Sequence, residues 1–118
     1  MYERKDAFYH KAKREGYRAR SAYKLLELNR EFHVVKPGNR VVDLGSWPGG
    51  WVQVAAELAG PAGRVIGIDL VAPDPLPQAQ VTLLQGDATD VARAVLFLMQ
   101  PDNYITGQVL SVDGGITL

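Results

Sequence analysis

A short glycine-rich segment is the first feature of this sequence that could do chemistry. Residues 43–51 read DLGSWPGGW, with glycines at positions 45, 49 and 50. Glycine has no Cβ, so a ligand can approach its backbone closely and the chain can adopt a positive φ angle there. The first N–H groups of a helix that follows such a loop lack intrahelical partners and can bind a carboxylate or a phosphate. The segment therefore indicates a ligand-binding loop or, alternatively, a plain tight turn between a strand and a helix.

Two aspartates follow apolar runs further along the chain. Asp69 ends the run of residues 65–68 about twenty residues after the loop, where a carboxylate can accept both hydroxyls of a ribose. Asp87 follows Gln85 and Gly86 after a third apolar run, where it could accept a hydrogen bond from an adenine amino group. Either aspartate could instead be a turn or capping residue. The loop and the two acids together favour adenosine recognition.

The spacing of the glycines separates two kinds of adenosine ligand. The segment does not match G-x-G-x-x-G, the pattern that holds a dinucleotide pyrophosphate. A nucleoside that carries an amino acid is therefore favoured over a nicotinamide dinucleotide. An NAD(P)-binding fragment remains an alternative, since Asp69 would also suit its ribose.

The elements that must position these residues alternate between strand and helix patterns. Short apolar runs predict strands at residues 41–44, 65–69, 81–85 and 108–112, and helical spacing predicts helices at 21–32, 51–59 and 88–100. Ser21 is a candidate cap for the first of these helices, and three prolines predict an extended connection at 72–80. The order predicts a three-layer, Rossmann-like α/β domain with an open parallel sheet in the order 3-2-1-4. Ligands bind such sheets at the carboxyl ends of the strands, where the strand order reverses.

Composition excludes several other classes of protein. The 118 residues suit one domain, and 47% hydrophobic with 22% charged residues is an ordinary globular composition. The absence of cysteine excludes disulfides, thiolate catalysis and cysteine-ligated zinc. His10 and His33 are isolated, so no metal site is expected. No apolar run reaches the roughly 20 residues of a membrane span, and residues 1–18 lack an apolar signal core, so a cytoplasmic location is expected.

Basic residues concentrate near the amino terminus. Residues 1–36 carry ten Lys or Arg against five acids, whereas residues 37–118 carry three against eight. Aromatic residues are interleaved with these cations: Tyr2, Phe8, Tyr9, Tyr17 and Tyr23. This basic arm suits contact with RNA phosphates and stacked bases. The alternative is a solvated helix face whose aromatic side chains pack inward.

The motifs of residues 18–90 resemble the FtsJ/RrmJ family. The resemblance rests on RSAYKL at 20–25, KPG at 36–38, VVDLG at 41–45, PGGW at 48–51 and QGD at 85–87. It implies an S-adenosylmethionine-dependent methyltransferase that acts on the ribose 2′-hydroxyl of ribosomal RNA, with Lys24 as one catalytic lysine. It also implies a set of residues that bind the cofactor: Gly45, Pro48, Gly49, Gly50, Trp51, Asp69 and Asp87. Trp47 departs from the family, which has a small residue there, and its ring could narrow the methionine end of the site.

The carboxyl-terminal segment leads to a different expectation. Residues 94–98 and 104–115 resemble the end of short-chain dehydrogenases/reductases. The later features of the FtsJ/RrmJ family, a Ser-Asp-Met-Ala-Pro motif, a second catalytic lysine and a distal glutamate, are not found. The chain is therefore expected to be a chimera: a basic arm and first helix (1–36), a cofactor-binding half (37–90) and a reductase-like closing helix and strand (91–118). Methyl transfer is expected to be incomplete. The alternative is an engineered scaffold without ligand function, and an exposed strand edge within residues 104–117 would permit self-association.

Overall fold

The computed structural model describes residues 2–71, 73–87, 92–93 and 107–110. Within these ranges the chain forms three α-helices and four β-strands. In chain order they are α1 (Tyr2–Glu15), α2 (Ala22–Phe32), β1 (Arg40–Leu44), α3 (Gly50–Ala59), β2 (Arg64–Asp69), β3 (Val81–Gln85) and β4 (Gly107–Leu110).

The four strands form one parallel sheet in the order β3-β2-β1-β4. Val42 of β1 is paired with Ile66 of β2 and with Val109 of β4. Asp69 is paired with Gln85 of β3. The predicted α/β class and strand order are thus confirmed, and the reversal of strand order lies beside β1. The carboxyl ends of β1, β2 and β3 lie along one edge of the sheet.

The alternating side chains of β1 and β2 contribute to two hydrophobic clusters. Val41 and Val65 are buried with α2 and α3 residues, whereas Val42, Ile66 and Ile68 form a second cluster. Successive strand residues point to opposite faces, so an uninterrupted apolar run is what a sheet buried on both sides requires. The helix that was predicted at 88–100 lies outside the described residues, except that positions 92–93 are helical.

A glycine in β2 allows α3 to pack closely on the sheet. A Cβ at Gly67 would lie 2.9 Å from the Oγ of Ser46 and 2.9 Å from a Cγ of Val52. Ser46 and Val52 are themselves fully buried, so neither side chain has space into which it can move. Gly67 thereby fixes how closely the loop after β1 and the start of α3 approach β2.

The basic arm contains a 14-residue helix, α1, as the alternative of a helix face expected, and α1 includes the buried Ala12. One sequence expectation about this region is corrected. Ser21 precedes α2 but makes no side-chain capping hydrogen bond, because it adopts αR geometry itself. An N-cap residue normally has a non-helical conformation that directs its hydroxyl at the first turn.

The close approach at Gly67 predicts that Gly67→Ala destabilises the fold. We expect a loss of about 1–3 kcal/mol in the free energy of unfolding, because the added methyl group overpacks a filled core. Urea denaturation measures this loss. Thr82→Ala, at an exposed position of β3, is the control and should cost less than about 1 kcal/mol. An unfolding midpoint for Gly67→Ala equal to that of the control would contradict the prediction.

Candidate functional site

Backbone hydrogen bonds join the carboxyl ends of three strands. The N–H groups of Gly45 and Ser46 donate to the carbonyl oxygen of Ile68 at 2.8 and 3.2 Å. The N–H of Gly86 donates to the carbonyl oxygen of Asp69 at 2.9 Å. The loop after β1, the end of β2 and the residues after β3 therefore form one continuous edge, as the sequence predicted.

The carboxylate of Asp69 lies at the centre of this edge. Its Oδ2 accepts a hydrogen bond from the N–H of Trp47 at 2.9 Å, and its Oδ1 accepts one from the N–H of Val71 at 3.0 Å. Each carboxylate oxygen can accept a second hydrogen bond, and the residue is only partly buried. The carboxylate is thus held in one orientation and retains acceptor capacity for two neighbouring hydroxyl groups.

Three exposed apolar residues either supply the backbone donors of this carboxylate or follow it directly in the chain. Trp47 is 49% exposed, Leu70 is 71% exposed and Val71 is 53% exposed. Asp87 is also exposed, two residues beyond the end of β3. Single exposed apolar residues are ordinary, whereas three so close in the chain to one carboxylate and its two donors mark a candidate ligand-binding surface.

The glycines at the start of α3 have a role that the sequence did not reveal. Gly49 has a φ of 117°, and a Cβ there would lie 3.1 Å from Nη1 of Arg18. A Cβ at Gly50 would lie 3.1 Å from the Cβ of Ala19. Both glycines are buried, so they admit the chain's own segment at 18–19. Gly45, with a φ of 74°, is the partly exposed glycine of the loop.

The segment at 16–21 is bound across α3 by side chains of that helix. Gln53 accepts a hydrogen bond from the N–H of Arg18 at 2.8 Å and donates to the carbonyl oxygen of Gly16 at 3.0 Å. The indole N–H of Trp51 donates to the carbonyl oxygen of Ser21 at 2.8 Å. Trp51 is only 3% exposed. The structure therefore places this predicted cofactor residue in the core, where it positions the chain that leads into α2.

The guanidinium of Arg18 joins the glycine loop to the proline-rich connection. Its Nη1 donates to the carbonyl oxygen of Pro48 at 3.3 Å and to that of Asp74, and its Nη2 donates to the carbonyl oxygen of Pro75 at 2.6 Å. In the sequence Arg18 was one cation among ten. Only its position two residues before the start of RSAYKL could have drawn attention to it.

Asp43 is a further residue of interest that the sequence motifs do not single out. It lies in β1 within the DLG motif and is 2% exposed. A carboxylate inside the apolar run of a central strand is unusual, because burying a charge is costly without compensating interactions. That composition is the signal that could have singled out Asp43.

Lys24, the candidate catalytic residue, lies on the exposed surface of α2. It lines an open depression together with Glu27, Leu28, Arg30 and Glu31. Its backbone N–H donates to the carbonyl oxygen of Ser21, which also accepts the indole N–H of Trp51. The first turn of α2 is thereby attached to the start of α3, but the described contacts do not bring the Lys24 side chain to Asp69.

The aromatic side chains of the basic segment pack largely on one another. The ring centroid of Tyr23 is 5.9 Å from that of Phe8 and 5.6 Å from that of Tyr17. Nζ of Lys11 lies 4.8 Å from the Tyr23 centroid. Three of the five aromatic residues that were predicted to stack on bases therefore form an internal cluster, as the inward-packing alternative expected. Tyr9 is 51% exposed.

Two phenols of this cluster donate to glutamates. The Tyr17 hydroxyl donates to Oε2 of Glu57 at 3.0 Å, and the Tyr23 hydroxyl donates to Oε2 of Glu15 at 2.9 Å. Desolvation and the adjacent carboxylate raise the pKa of Tyr17 to about 12. The same two causes raise the pKa of Tyr23 to about 12. Both phenols favour the protonated, donating form.

The described part of the chain contains neither a metal-binding cluster nor a helix of membrane-spanning type. Among those residues no group of three or more His, Asp or Glu side chains is arranged to hold a metal ion. None of the described helices is long and apolar enough to cross a membrane.

Comparison with protein families gives a match over most of the chain. Residues 17–110 match the profile described as FtsJ-like methyltransferase. This range continues well beyond residue 90, the position at which a change to a reductase-like segment is expected from the sequence. The comparisons therefore give no support to a chimera.

Individual relatives agree with this match. The chain is 41% identical over 117 residues to the ribosomal RNA large subunit methyltransferase E of Syntrophobacter fumaroxidans, covering 98% of this chain and 59% of the relative. It is 55% identical over 87 residues to the protein of the same name from Methanothrix thermoacetophila, covering 74% of this chain and 32% of the relative. The chain thus spans about a third to three fifths of the length of these relatives.

Solved structures show the same fold. A ribosomal RNA methyltransferase structure from Plasmodium falciparum matches with a TM-score of 0.55 and 39% identity, covering 60% of this chain and 38% of that one. A cyclopropane-fatty-acyl-phospholipid synthase-like protein from Lactobacillus casei matches with a TM-score of 0.51 and 21% identity, covering 64% of this chain and 33% of that one. At that identity the second match shows the fold alone.

The two tyrosine–glutamate hydrogen bonds should stabilise the folded chain at neutral pH and lose this effect at alkaline pH. The pKa of each phenol is raised from 10.0 to about 12 in the folded state. Its contribution to the free energy of unfolding is therefore complete below pH 10 and falls as the pH rises toward 12. Absorbance at 295 nm should show two phenols that ionise late, and Tyr23→Phe should remove one of them. Tyr9→Phe, outside the cluster, should leave both late steps in place. A Tyr23→Phe titration that retains both would disprove the assignment.

Proposed function

Since the chain belongs to the FtsJ-like methyltransferase family, we propose that it binds S-adenosylmethionine at the sheet edge formed by loop 45–49, Asp69 and Asp87. We further propose that it provides the cofactor-binding part of an enzyme that methylates the ribose 2′-hydroxyl of ribosomal RNA. Its relatives are named ribosomal RNA large subunit methyltransferases.

The observation that carries this proposal is the held carboxylate of Asp69. Backbone N–H groups from both sides, those of Trp47 and Val71, fix its two oxygens. A vicinal diol presents two hydroxyl donors at a spacing that matches the two oxygens of one carboxylate. Asp69 therefore suits the ribose of the cofactor, and its position at the end of β2 is where doubly wound folds bind a ribose.

The remainder of the edge also fits the cofactor. Gly45 and Pro48 of the loop are partly exposed and would line the amino-acid end of the cofactor. Gly45 gives the loop its positive φ. Asp87 would accept a hydrogen bond from the adenine amino group, and the exposed ring of Trp47 would line the site. When bound, the cofactor supplies an electrophilic methyl group on its sulfonium sulfur.

A role for Lys24 in methyl transfer belongs to the same proposal. The ribose hydroxyl loses a proton as it attacks the methyl group, and a nearby lysine can orient or receive that proton. Lys24 is held on the first turn of α2, whose preceding residue Ser21 is bonded to Trp51 at the start of α3. That connection gives Lys24 a fixed base from which it would reach RNA at the cofactor edge.

The basic residues of α1 and the following segment would bind the RNA substrate. Lys13 and Arg14 lie in the last turn of α1 and are exposed, as is Arg20. Cations of this kind neutralise phosphates without reading sequence, and they release counterions when they bind. The inward-packed rings of Phe8, Tyr17 and Tyr23 give this surface a fixed shape. Tyr9 remains exposed for stacking on a base.

The other interpretations lead to different outcomes of the same tests. An NAD(P)-binding fragment would prefer the dinucleotide, and a scaffold would bind neither ligand. Self-association through β4, one of the two edge strands of the described sheet, stays a prediction, and so does a cytoplasmic location.

Substitution of Asp69 tests the cofactor site. Asp69→Asn should weaken the binding of S-adenosylmethionine about tenfold or more, because an amide offers one acceptor oxygen where the carboxylate offers two. Isothermal titration calorimetry on the folded chain measures the affinity, and NAD in a parallel titration should show none. Asp74→Asn removes the same charge at an exposed position nearby and serves as the control. Equal affinities of the two variants would contradict the proposal.

Paired charge removals test the RNA surface. Lys13→Gln with Arg14→Gln should lower the magnitude of the slope of log K against log salt by about 1.4 for a single-stranded RNA oligonucleotide, since each lost contact with a single strand releases about 0.7 counterion fewer. Fluorescence anisotropy titrations at salt concentrations between about 50 and 200 mM measure this change in slope. Arg64→Gln with Arg93→Gln removes the same net charge outside this surface. If both pairs lower the slope equally, α1 is not the binding surface.

A further inference from the structure

Arg18 is bound to three separate parts of the chain. Its backbone N–H donates to Gln53 of α3, and its guanidinium donates to the carbonyl oxygens of Pro48, Asp74 and Pro75. Those carbonyls belong to two stretches that flank the candidate cofactor edge. The side chain is therefore a cross-link between the glycine loop and the proline-rich connection.

Both stretches lead directly to the partners of the Asp69 carboxylate. Pro48 follows Trp47, whose N–H holds Oδ2, and Asp74 follows three residues after Val71, whose N–H holds Oδ1. A group that holds Pro48 and Asp74 at fixed positions consequently limits the positions of both N–H donors. Arg18 thus braces the two sides of the carboxylate without touching it.

We propose that Arg18 is a positioning residue for the cofactor site, acting through Trp47 and Val71 to hold the Asp69 carboxylate in the orientation that accepts the ribose hydroxyls. The inference rests on the proposed function of this edge. It assigns to one cation of the basic segment a role in binding the cofactor, whereas its exposed neighbour Arg20 remains available to RNA.

The shape of the guanidinium is what this role requires. Its planar fork presents donors in several fixed directions at once, whereas the ammonium of a lysine is a compact charge on a flexible stem. Gly49 leaves space for the fork, since a Cβ there would lie 3.1 Å from Nη1 and 3.2 Å from Cδ of Arg18. A lysine would keep the charge and lose the simultaneous bonds to Pro48 and Pro75.

The alternative role for Arg18 is a direct contact with an RNA phosphate. A lysine is also a good phosphate ligand, so the two roles predict opposite results for Arg18→Lys. The positioning role predicts that Arg18→Lys weakens the binding of S-adenosylmethionine nearly as much as Arg18→Gln does. A phosphate contact predicts that Arg18→Lys retains the affinity for both the cofactor and RNA.

The experiment compares Arg18→Lys and Arg18→Gln with the matched pair Arg20→Lys and Arg20→Gln. Calorimetric titration with S-adenosylmethionine should show affinities at least about tenfold weaker for both Arg18 variants, equivalent to about 1.4 kcal/mol. The Arg20 variants should lie within about twofold of the unsubstituted chain. Unchanged cofactor affinity in Arg18→Lys would overturn the proposal.

A second readout separates this inference from the proposed function. Hydrogen exchange in the absence of ligand should be faster at the N–H groups of Trp47 and Val71 in both Arg18 variants, while the N–H groups of β1 keep their protection. If the unsubstituted chain does not bind S-adenosylmethionine, the proposed function fails. The exchange rates of these two N–H groups then still test whether Arg18 positions the Asp69 carboxylate. Faster exchange throughout the sheet, or loss of cooperative unfolding in both variants, would instead assign Arg18 a general structural role and overturn the proposal.

Discussion

The candidate site depends on one carboxylate that is held by the backbone. Asp69 ends β2, and the N–H groups of Trp47 and Val71 hold its two oxygens. Hydrogen bonds to an ionised acceptor are stronger than those between neutral groups, so they hold the loop after β1 and the chain after β2 against one point. The position of the glycine loop, and hence of the first turn of α3, follows from this interaction together with the close packing at Gly67.

The segment at 16–21 forms a second layer of support around that point. Gln53 and Trp51 of α3 bind its backbone, and Arg18 reaches from it to the loop and to the connection after β2. Positions 49 and 50 require glycine because this segment crosses them so closely that a Cβ atom would crowd it. A glycine-rich loop in a sequence therefore need not mean that a ligand meets every glycine, since the chain itself can occupy the space that a Cβ would fill.

Features that arise from local pattern were predictable, and features that arise from distant contacts were not. Short apolar runs and alternating elements specify β1, β2 and β3 and their order, and Asp69 follows from its place at a strand end. The burial of Trp51 depends on a partner far away in the chain, since its indole N–H donates to the carbonyl oxygen of Ser21. The inward packing of Phe8, Tyr17 and Tyr23 does so as well, because identical residues would suit a surface that stacks on bases.

The basic segment illustrates why a count of charges cannot assign roles. Arg18 and Arg20 are two residues apart and equal in a net-charge argument, yet the guanidinium of Arg18 binds carbonyl oxygens while Arg20 is exposed. The carbonyls of Pro48 and Asp74 are polar but uncharged, so their attraction for a cation leaves no trace in composition. What distinguishes the two arginines is the close approach of three backbone stretches, and that follows from the fold. The proposed positioning residue, Arg18, and the proposed RNA contact, Arg20, therefore lie only two residues apart in the sequence.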